Sequence, residues 1–474
     1  MAKQERIMVG MLIDGKITEN GVMLDLINPC DETVAAQVPD AQTNDVDRAV
    51  AAAKHAFPDW RDTDPAKRGA VLTAMSKAIG EHMDELAKLL VEETGRPFPL
   101  AQFELDLAMK YLDYYAGVRL EPQLIVDDET RRVELHRKAL GVVAAIVPWN
   151  APVYIACNKI APALSAGNTI VVKTAPSTPL TTLRLGELVA GLVPPGVLNI
   201  LSGGNGAGEH LVSHNDVQKV TFTGSSETGR KIMAAVAPTL KRLTLELGGN
   251  DAAIVLPDAD PATVAPGIFA FSFFNSGQVC AVIKRLYVHE DIYDAMCDQL
   301  VAMAEGSVMG EGTNPDAQFG PVQNRMQYEK VQTYLKSAET DGKIIAGGKV
   351  PDAPGYFIPL TIVRDVMEGH AIVDEEPFGP ILPIIKYRSV DDVIERANAS
   401  PYALGGSVWS GDMEAARKVA SHLESGSVWI NQHCALDPLV PFPANKQSGF
   451  GVEGGMEGLY PYTALQTINE AKPQ

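Results

Sequence analysis

Cysteine is scarce in this sequence: it accounts for five of 474 residues, and the chain has neither a CxxC pair nor an HExxH motif. The five are Cys30, Cys157, Cys280, Cys297 and Cys434, an odd number at wide intervals. This pattern argues against a disulfide framework and a zinc site, and it fits a reducing compartment. We therefore expect a cytoplasmic protein without a metal centre.

Long uncharged apolar runs are also missing. The most apolar stretch, residues 140–172, is interrupted by Pro148, Asn150, Pro152 and Lys159, which leaves no convincing transmembrane helix. The N-terminus lacks the continuous apolar core and the cleavage site of a signal peptide. Acidic residues outnumber basic ones by 59 to 40, for a net charge of −19, and such a surface repels phosphate backbones. The sequence predicts neither a membrane nor a nucleic-acid partner.

The composition is that of a large globular chain, with 46% hydrophobic and 21% charged residues, enough for two or three domains. The first hundred residues are predicted to be largely helical. From residue 140 onward, short β-branched runs alternate with helical stretches, which is typical of buried parallel strands. The pattern restarts after Gly248 and Gly249. The sequence therefore predicts an α/β fold with two doubly wound, Rossmann-like parallel-sheet domains.

Two polar segments with alternating hydropathy, residues 131–140 and 463–471, fit poorly in a buried parallel sheet. We expect them to form a small antiparallel arm that packs on another subunit and shares sheet edges with it. The chain would then be a homodimer or a homotetramer.

Cys280 is the first candidate for chemistry. It lies in the sequence FFNSGQVCAVIKR, residues 273–285, among apolar or small residues and before a basic pair. An isolated cysteine is usually a buried core thiol. The alternative is a nucleophile that attacks a carbonyl carbon.

Three polar residues stand at the ends of predicted strands, where open α/β sheets bind ligands. Asn150 could stabilise an oxyanion or make local turn bonds. Lys173 could meet ribose hydroxyls or phosphate, or point into solvent. Glu246 is flanked by leucines; apolar surroundings raise the pKa of a carboxyl group and suit it to act as a base, unless it is a salt-bridged structural residue.

A strand-to-helix turn at residues 219–233 contains Gly224, Ser225 and Gly229. Backbone N–H groups at such a turn favour an anion, although Ser225 could be a plain helix cap. Glu376 precedes a Pro-Phe-Gly-Pro loop and could accept hydrogen bonds from ribose hydroxyls or be ordinary surface charge. A formal GxGxxG at residues 449–454 follows no strand, so it is better interpreted as a flexible loop.

Together these motifs form one ordered pattern. It consists of Pro148-Trp149-Asn150, Lys173, Phe222-Thr223-Gly224-Ser225 with Gly229, Glu246-Leu247-Gly248-Gly249, Gly277-Gln278-Val279-Cys280 and Glu376-Pro377-Phe378-Gly379. The pattern resembles the NAD(P)-dependent aldehyde dehydrogenase superfamily of the hydrolytic, non-acylating type, and similar segments extend over nearly the whole chain.

The resemblance implies a covalent mechanism. Cys280 would attack the aldehyde carbon, and Asn150 would hold the oxyanion. Glu246 would then activate the water that hydrolyses the thioester. Relatives that pass the acyl group to coenzyme A usually lack this glutamate, so its presence implies release of a free acid.

The resemblance also implies NAD or NADP as cofactor. The residues implied to bind it are Trp149, Lys173, Gly224, Ser225, Gly229, Leu247, Glu376 and Phe378. NAD-preferring members often carry a glutamate three residues after Lys173, where this chain has Pro176. A 2′-phosphate is then not repelled, and the choice between NAD and NADP stays open.

The expected partner is a small-molecule aldehyde in an apolar tunnel. The implied tunnel residues are Leu107, Tyr111, Ala151, Tyr154, Val279, Ala281 and Phe442. Ala151 and Asn158 stand where the family often has an aromatic residue and a tryptophan, so the tunnel gains volume. It has no obvious arginine for a substrate carboxylate. We expect an uncharged, fairly bulky aldehyde: aromatic, terpenoid or long-chain.

Three alternatives remain at this stage: a semialdehyde dehydrogenase of the same family, a cysteine hydrolase without redox chemistry, and a catalytically retired binding protein on this fold. By the same resemblance, the dinucleotide-binding domain is predicted to comprise residues 1–120 and 141–248, and the catalytic domain 249–435. The oligomerisation arm is predicted at 121–140 and 455–474.

Overall fold

The structure, a computed structural model, describes residues 7–19 and 21–473 of the chain. Its helices are α1 (Thr43–Asp62), α2 (Pro65–Glu81), α3 (Met83–Thr94), α4 (Phe98–Gly117), α5 (Pro152–Ser165), α6 (Leu180–Val189), α7 (Asn205–Ser213), α8 (Ser226–Val236), α9 (Pro261–Phe273), α10 (Tyr293–Glu305), α11 (Arg325–Asp341), α12 (Ala371–Asp374), α13 (Val390–Asn398), α14 (Met413–Ala420) and α15 (Gly455–Leu459). Sequence signals set several of their ends: Asp64 accepts a hydrogen bond from the Ala66 N–H ahead of α2, and Gly95 ends α3 in the left-handed conformation.

The strands are β1 (Ile7–Met8), β2 (Met11–Ile13), β3 (Lys16–Thr18), β4 (Met23–Ile27), β5 (Val34–Pro39), β6 (Gln123–Asp127), β7 (Arg131–Ala139), β8 (Val142–Ile146), β9 (Thr169–Lys173), β10 (Leu198–Leu201), β11 (Val217–Thr223), β12 (Arg242–Glu246), β13 (Asp251–Val255), β14 (Ile283–His289), β15 (Lys343–Ala346), β16 (Thr361–Val366), β17 (Ile381–Tyr387), β18 (Tyr402–Ala403), β19 (Gly405–Trp409), β20 (Ser427–Ile430), β21 (Phe442–Pro443), β22 (Asn445–Lys446), β23 (Gly449–Phe450), β24 (Val452–Glu453) and β25 (Thr463–Ala471).

The first large sheet has the strand order β23-β12-β11-β8-β9-β10-β2-β3. Its five central strands are parallel, while at the edges β2 pairs antiparallel with β10, β3 pairs antiparallel with β2, and β23 pairs antiparallel with β12. Helices cover both faces because the central strands are apolar on both sides. Lys173 and Glu246, the polar residues that end β9 and β12, therefore lie at the carboxyl ends of the parallel strands, on the same side of the sheet as Asn150, which follows β8.

The second large sheet has the order β15-β16-β17-β14-β13-β19-β20 and is parallel except for β15. Separate apolar clusters pack on its two faces. The two glycines at 248 and 249 connect β12 of the first sheet to β13 of the second. This arrangement confirms the predicted pair of parallel-sheet, Rossmann-like domains, whereas the exact domain boundaries stay a prediction.

A third sheet, ordered β25-β7-β6, is antiparallel throughout. It contains both polar segments expected to form an arm, and β25 is paired along its full length from Thr463 to Ala471. The region before α1 differs from the helical expectation. Residues 7–39 hold the short strands β1 to β5, whose few residues give too little apolar periodicity to predict from sequence.

A small apolar cluster lies between the two large sheets. Ala281, Leu404 and Ala444 form it, and Cys280 and Cys434 pack against it. The candidate nucleophile is therefore at the junction of the two domains, where the edge carrying Glu246 faces the loop before β14.

Candidate active site

One cavity of about 150 Å³ brings the predicted chemistry together. Cys280, Glu246 and Asn150 all line it. So do the seven residues predicted for the tunnel: Leu107, Tyr111, Ala151, Tyr154, Val279, Ala281 and Phe442. Residues that are distant in sequence thus line one cavity.

An unusual backbone presents Cys280 to this cavity. Asn275, Ser276 and Gly277 have consecutive positive φ angles of 51°, 55° and 74°. A Cβ on Gly277 would lie 2.2 Å from the carbonyl oxygen of Gly379, so only glycine fits there. Strained backbone of this kind persists where the surroundings fix it, often at functional sites.

Gln278 fixes the loop from both sides. Its side chain accepts a hydrogen bond from the Gln323 N–H at 2.9 Å and donates one to the Pro321 carbonyl at 3.2 Å. Its carbonyl accepts a hydrogen bond from Asn150 Nδ2 at 2.9 Å. The Asn150 amide is therefore held beside Cys280, with one N–H used by the loop and a second available.

The backbone of Asn150 is also fixed. Arg96 Nη2 donates to its carbonyl at 2.6 Å, and Asn275 Nδ2 donates at 3.1 Å. Arg96 is buried and paired with Glu104. The other Glu104 oxygen accepts the Val153 N–H at 2.8 Å, at the first turn of α5. Sequence analysis did not identify this pair.

Burial raises the pKa of the Cys280 thiol, and the ammonium of Lys284 opposes that shift. Lys284 donates to the Cys280 carbonyl and lies 3.1 Å from Glu376. Burial thus favours the neutral thiol, while a buried cation lies near enough to favour the thiolate. Sequence analysis saw Lys284 only as half of a basic pair.

Glu246 is 4% exposed, and its Oε1 has no hydrogen-bond partner among the described residues. Burial raises its pKa well above the ordinary value; the Glu453 carboxylate adds to the rise and Lys159 opposes it. A carboxyl group in this state can take up a proton near neutral pH. Sequence analysis expected a carboxylate in apolar surroundings; the structure buries Glu246 and also places the charged side chains of Glu453 and Lys159 near it.

Glu453 was missed by sequence analysis. It accepts hydrogen bonds from Lys159 Nζ at 2.5 Å and Asn158 Nδ2 at 2.7 Å, and Lys159 also donates to Thr221 Oγ1 at 3.1 Å. These contacts leave little signal in the sequence, because Glu453 lies in a glycine-rich loop about 300 positions away from both partners.

The residues predicted to bind a dinucleotide lie in three places: the end of β9, the turn between β11 and α8, and a group around Trp149. Lys173 is buried at the end of β9, where burial lowers its pKa to about 8, and it has no ion pair among the described residues. Ser225 caps α8 by accepting the Thr228 N–H at 3.3 Å. A Cβ on Gly229 would lie 2.6 Å from the side chain of Leu247, so this glycine allows α8 to pack closely on that residue. Gly224 stands between β11 and α8.

The third place holds Trp149, Phe378 and Glu376. The two rings meet edge to face with centroids 5.3 Å apart. Glu376 accepts the Gly249 N–H at 3.1 Å, and a Cβ on Gly248 would lie 2.3 Å from its Oε2. The approach of the Glu376 carboxylate therefore explains Gly248, whereas a Cβ on Gly249 would lie 2.5 Å from the Cys280 carbonyl oxygen.

Within residues 7–19 and 21–473, no three His, Cys, Asp or Glu side chains cluster as metal ligands, and no helix combines the length and hydropathy needed to span a bilayer.

Comparison with known proteins gives consistent matches. The model of the aldehyde dehydrogenase family matches residues 17–468. The chain is 39% identical over 477 residues to phenylacetaldehyde dehydrogenase of Pseudomonas fluorescens, covering 97% of this chain and 95% of the relative. It is 38% identical over 459 residues to human mitochondrial aldehyde dehydrogenase, covering 94% and 89%.

Solved structures agree. The NAD+ complex of aldehyde dehydrogenase from Bacillus cereus superposes with a TM-score of 0.96 at 35% identity, covering 98% of this chain and 97% of that one. The chain is therefore a member of the aldehyde dehydrogenase family, an NAD(P)-dependent enzyme that oxidises aldehydes to acids.

Proposed function

We propose that this enzyme oxidises an uncharged, apolar and fairly bulky aldehyde through a covalent thioester on Cys280. The observation that carries the proposal is the shared cavity, in which Cys280, Glu246 and Asn150 meet among apolar side chains. The arrangement offers a nucleophile, a base and an oxyanion donor, the three parts that acyl chemistry requires.

In the first step, the Cys280 sulfur bonds to the aldehyde carbon and the carbonyl oxygen takes up negative charge. The free N–H of the Asn150 side chain and, by resemblance to the family, the backbone N–H of Cys280 stabilise that charge. Attack requires the thiolate, so the thiol first loses its proton to water; burial raises the thiol pKa and opposes this loss, and the nearby Lys284 ammonium favours it.

NAD(P)+, when bound, supplies the oxidant that accepts a hydride from the carbon attached to Cys280. The residues present fit such a group: Lys173 is a buried cation without an ion pair among the described residues, and the loops at Gly224 and Gly248 admit no side chain without displacement. Lys173, Ser225 and Glu376 would hold its polar parts. Trp149, Gly229, Leu247 and Phe378 would shape its site.

In the last step, Glu246 removes a proton from water, and the resulting hydroxide adds to the thioester carbon. The carbon–sulfur bond then breaks, which releases the carboxylic acid and returns the sulfur to Cys280. The raised pKa of Glu246 suits it to accept this proton.

The apolar wall supports an uncharged substrate. The cavity does include Arg96, but Glu104 pairs with it and the Asn150 carbonyl uses another of its N–H groups. No free guanidinium of the cavity wall is therefore available for a substrate carboxylate. The name of the Pseudomonas fluorescens relative, phenylacetaldehyde dehydrogenase, agrees with an aromatic substrate.

Absorbance of NAD(P)H tests the proposal. Purified enzyme is mixed with aromatic, terpenoid, long-chain and semialdehyde substrates, and NAD and NADP are tested separately. We expect reduction with bulky apolar aldehydes and none in the Cys280→Ala variant. A clear preference for succinic semialdehyde would support the semialdehyde alternative. Failure with every aldehyde, despite a folded and reduced enzyme, would point to a retired binding protein.

The proposal also covers the cellular compartment and the oligomeric state of the enzyme. Five unpaired cysteines, one of them the nucleophile, suit a reducing compartment such as the cytoplasm. The antiparallel arm offers the long exposed strand β25 for pairing with another subunit, so we propose a homodimer or homotetramer.

A further inference from the structure

The cavity wall contains a polar corner besides the groups assigned to catalysis. It consists of Tyr111, Tyr154, Asn158 and Glu453. Tyr154 and Asn158 are one helical turn apart on α5 and so face the same side. Tyr111 comes from α4, and its ring lies 5.2 Å from that of Tyr154. Elsewhere, much of the wall consists of apolar side chains, so this corner is where a substrate could be recognised by hydrogen bonds.

The contact with Glu453 fixes the orientation of the Asn158 amide. A carboxylate only accepts hydrogen bonds, so the nitrogen faces Glu453, at 2.7 Å from Oε2. The amide oxygen has no hydrogen-bond partner among the described residues, although Asn158 is only 4% exposed. A buried acceptor without a partner is unfavourable. Since Asn158 lines the cavity, a donor on the substrate can satisfy this oxygen.

Tyr111 supplies the complementary donor. The Tyr111 hydroxyl can both donate and accept a hydrogen bond, and the Tyr154 ring that packs against it carries a second hydroxyl. A Cβ on Gly454 would lie 3.6 Å from Tyr111 Oη. This contact places the Tyr111 hydroxyl beside the segment whose Glu453 binds Asn158. The corner therefore presents one acceptor and one donor.

We propose that Asn158 and Tyr111 select aldehydes that carry a neutral hydroxyl group remote from the carbonyl carbon. A hydroxyl can donate to Asn158 Oδ1 and accept from Tyr111 at once, whereas an ether or ketone can only accept. A carboxylate would face the Asn158 oxygen and the negative charge of Glu453. This selectivity rests on the proposed function of the cavity and names the substrate class within it.

Isosteric substrate pairs provide the test. Each pair exchanges a terminal hydroxyl for a methyl group without changing the number of heavy atoms: 4-(hydroxymethyl)benzaldehyde against 4-ethylbenzaldehyde, and 6-hydroxyhexanal against heptanal. The pairs differ in length, so they sample different distances from Cys280. We expect a kcat/KM ratio of about ten in favour of the hydroxyl compound for at least one pair, which is the factor that one or two net hydrogen bonds provide.

Two variants assign the selectivity to these side chains. Asn158→Leu removes the amide at nearly constant volume, and Tyr111→Phe removes one hydroxyl. In both, the ratio should fall towards one, and the change should appear mainly in KM, because the hydrogen bonds act on binding. Tyr114→Phe is the matched control: Tyr114 is also on α4 but packs on Tyr115 outside the cavity wall. Its ratio should match the unaltered enzyme.

The outcomes separate the two levels of the proposal. Oxidation of all four aldehydes with ratios near one would overturn the selectivity while leaving the proposed function intact. Equal losses on both members of a pair in Asn158→Leu would show a structural role instead. A preference for a cationic analogue, 4-(dimethylaminomethyl)benzaldehyde, would show that the corner recognises an ammonium group and would overturn the proposed selectivity for a hydroxyl group. If no aldehyde supports NAD(P)H formation, the proposed function fails and the selectivity with it.

Discussion

The chemistry of the cavity depends on placing several acidic groups close together in a buried space. Cys280, Glu246 and Cys434 all have raised pKa values, and in each case burial is the largest cause. The charge of Glu246 raises the pKa of the Cys280 thiol further. A Cys280 thiolate and a Glu246 carboxylate therefore disfavour each other, and in the proposed mechanism we expect Glu246 to be neutral during the attack and charged during hydrolysis.

Glu246→Gln separates the two halves of the reaction. Glutamine keeps the size of the side chain but cannot take a proton from water. We expect a rapid burst of NAD(P)H of up to one equivalent per active site, followed by a steady-state rate reduced about 10²- to 10⁴-fold, the usual contribution of a general base. Stopped-flow absorbance measures both phases.

Cys280→Ser is the control for that burst, because it removes the thiol and should abolish both phases. If Glu246→Gln lowers the burst and the steady rate equally, Glu246 acts before hydrolysis and its assignment as the hydrolytic base is wrong.

The decrease of kcat at low pH should follow the protonation of Glu246. The base must be unprotonated, and its pKa is raised, so kcat should decrease as the pH falls through that raised value. Lys159 opposes the shift, so Lys159→Met should move this decrease to higher pH. Profiles of kcat against pH for both enzymes check this. A decrease that stays in place in Lys159→Met would mean that another group controls it.

Sequence analysis at the residue scale found side chains at strand ends and missed those whose partners are remote. Glu246 and Asn150 follow apolar strands, so their position at a sheet edge is predictable. Glu104 and Glu453 bind partners 49 and 294 positions away, at Val153 and Lys159. Nothing local in the sequence signals those contacts, because they join elements that come together only when the chain folds.

At the scale of elements, the loop before β14 determines where the sulfur points. Three successive left-handed residues turn the chain after α9, and Gln278 ties it to residues 321–323. The glycine at 277 was visible in the sequence as part of the motif, but the reason that this position requires glycine was not. Its reason is the carbonyl of Gly379, which belongs to a different loop.

Gly277→Ala should therefore disable the enzyme. The new Cβ would meet the Gly379 oxygen at 2.2 Å in a backbone conformation that alanine rarely adopts. We expect a loss of at least tenfold in kcat/KM, because small displacements of a catalytic group reduce the rate steeply, together with a lower Tm. Activity assays and thermal unfolding measure the two effects.

Gly191→Ala is the matched control for that substitution, since its Cβ would have no atom within 4 Å and its φ is not positive. It should retain the activity and the Tm of the unaltered enzyme. If Gly277→Ala behaves in the same way, the loop is able to relax and its backbone geometry is not essential.

For the whole molecule, the fold follows largely from the alternation of apolar strands and helices, which fixes two parallel sheets and brings their functional edges together. The polar arm also follows from the pattern, since the residues of β7 and β25 alternate in hydropathy and neither strand has a continuous apolar face. What the pattern cannot give is the partner of the outer edge of β25, because pairing between subunits depends on surfaces rather than on periodicity.

The arm leads to the last prediction. Leu465 and Ile468 on β25 are 59% and 44% exposed, and being three positions apart in a strand they present apolar side chains on opposite faces of the sheet, next to an edge that has no strand partner among the described residues. The double substitution Leu465→Asp with Ile468→Asp places two charges there, so we expect a smaller assembly in size-exclusion chromatography with light scattering. Met326→Asp, at a 74% exposed position on α11, is the matched control and should leave the mass unchanged. An unchanged mass in the double variant, or a monomeric unaltered enzyme, would contradict an arm that joins subunits.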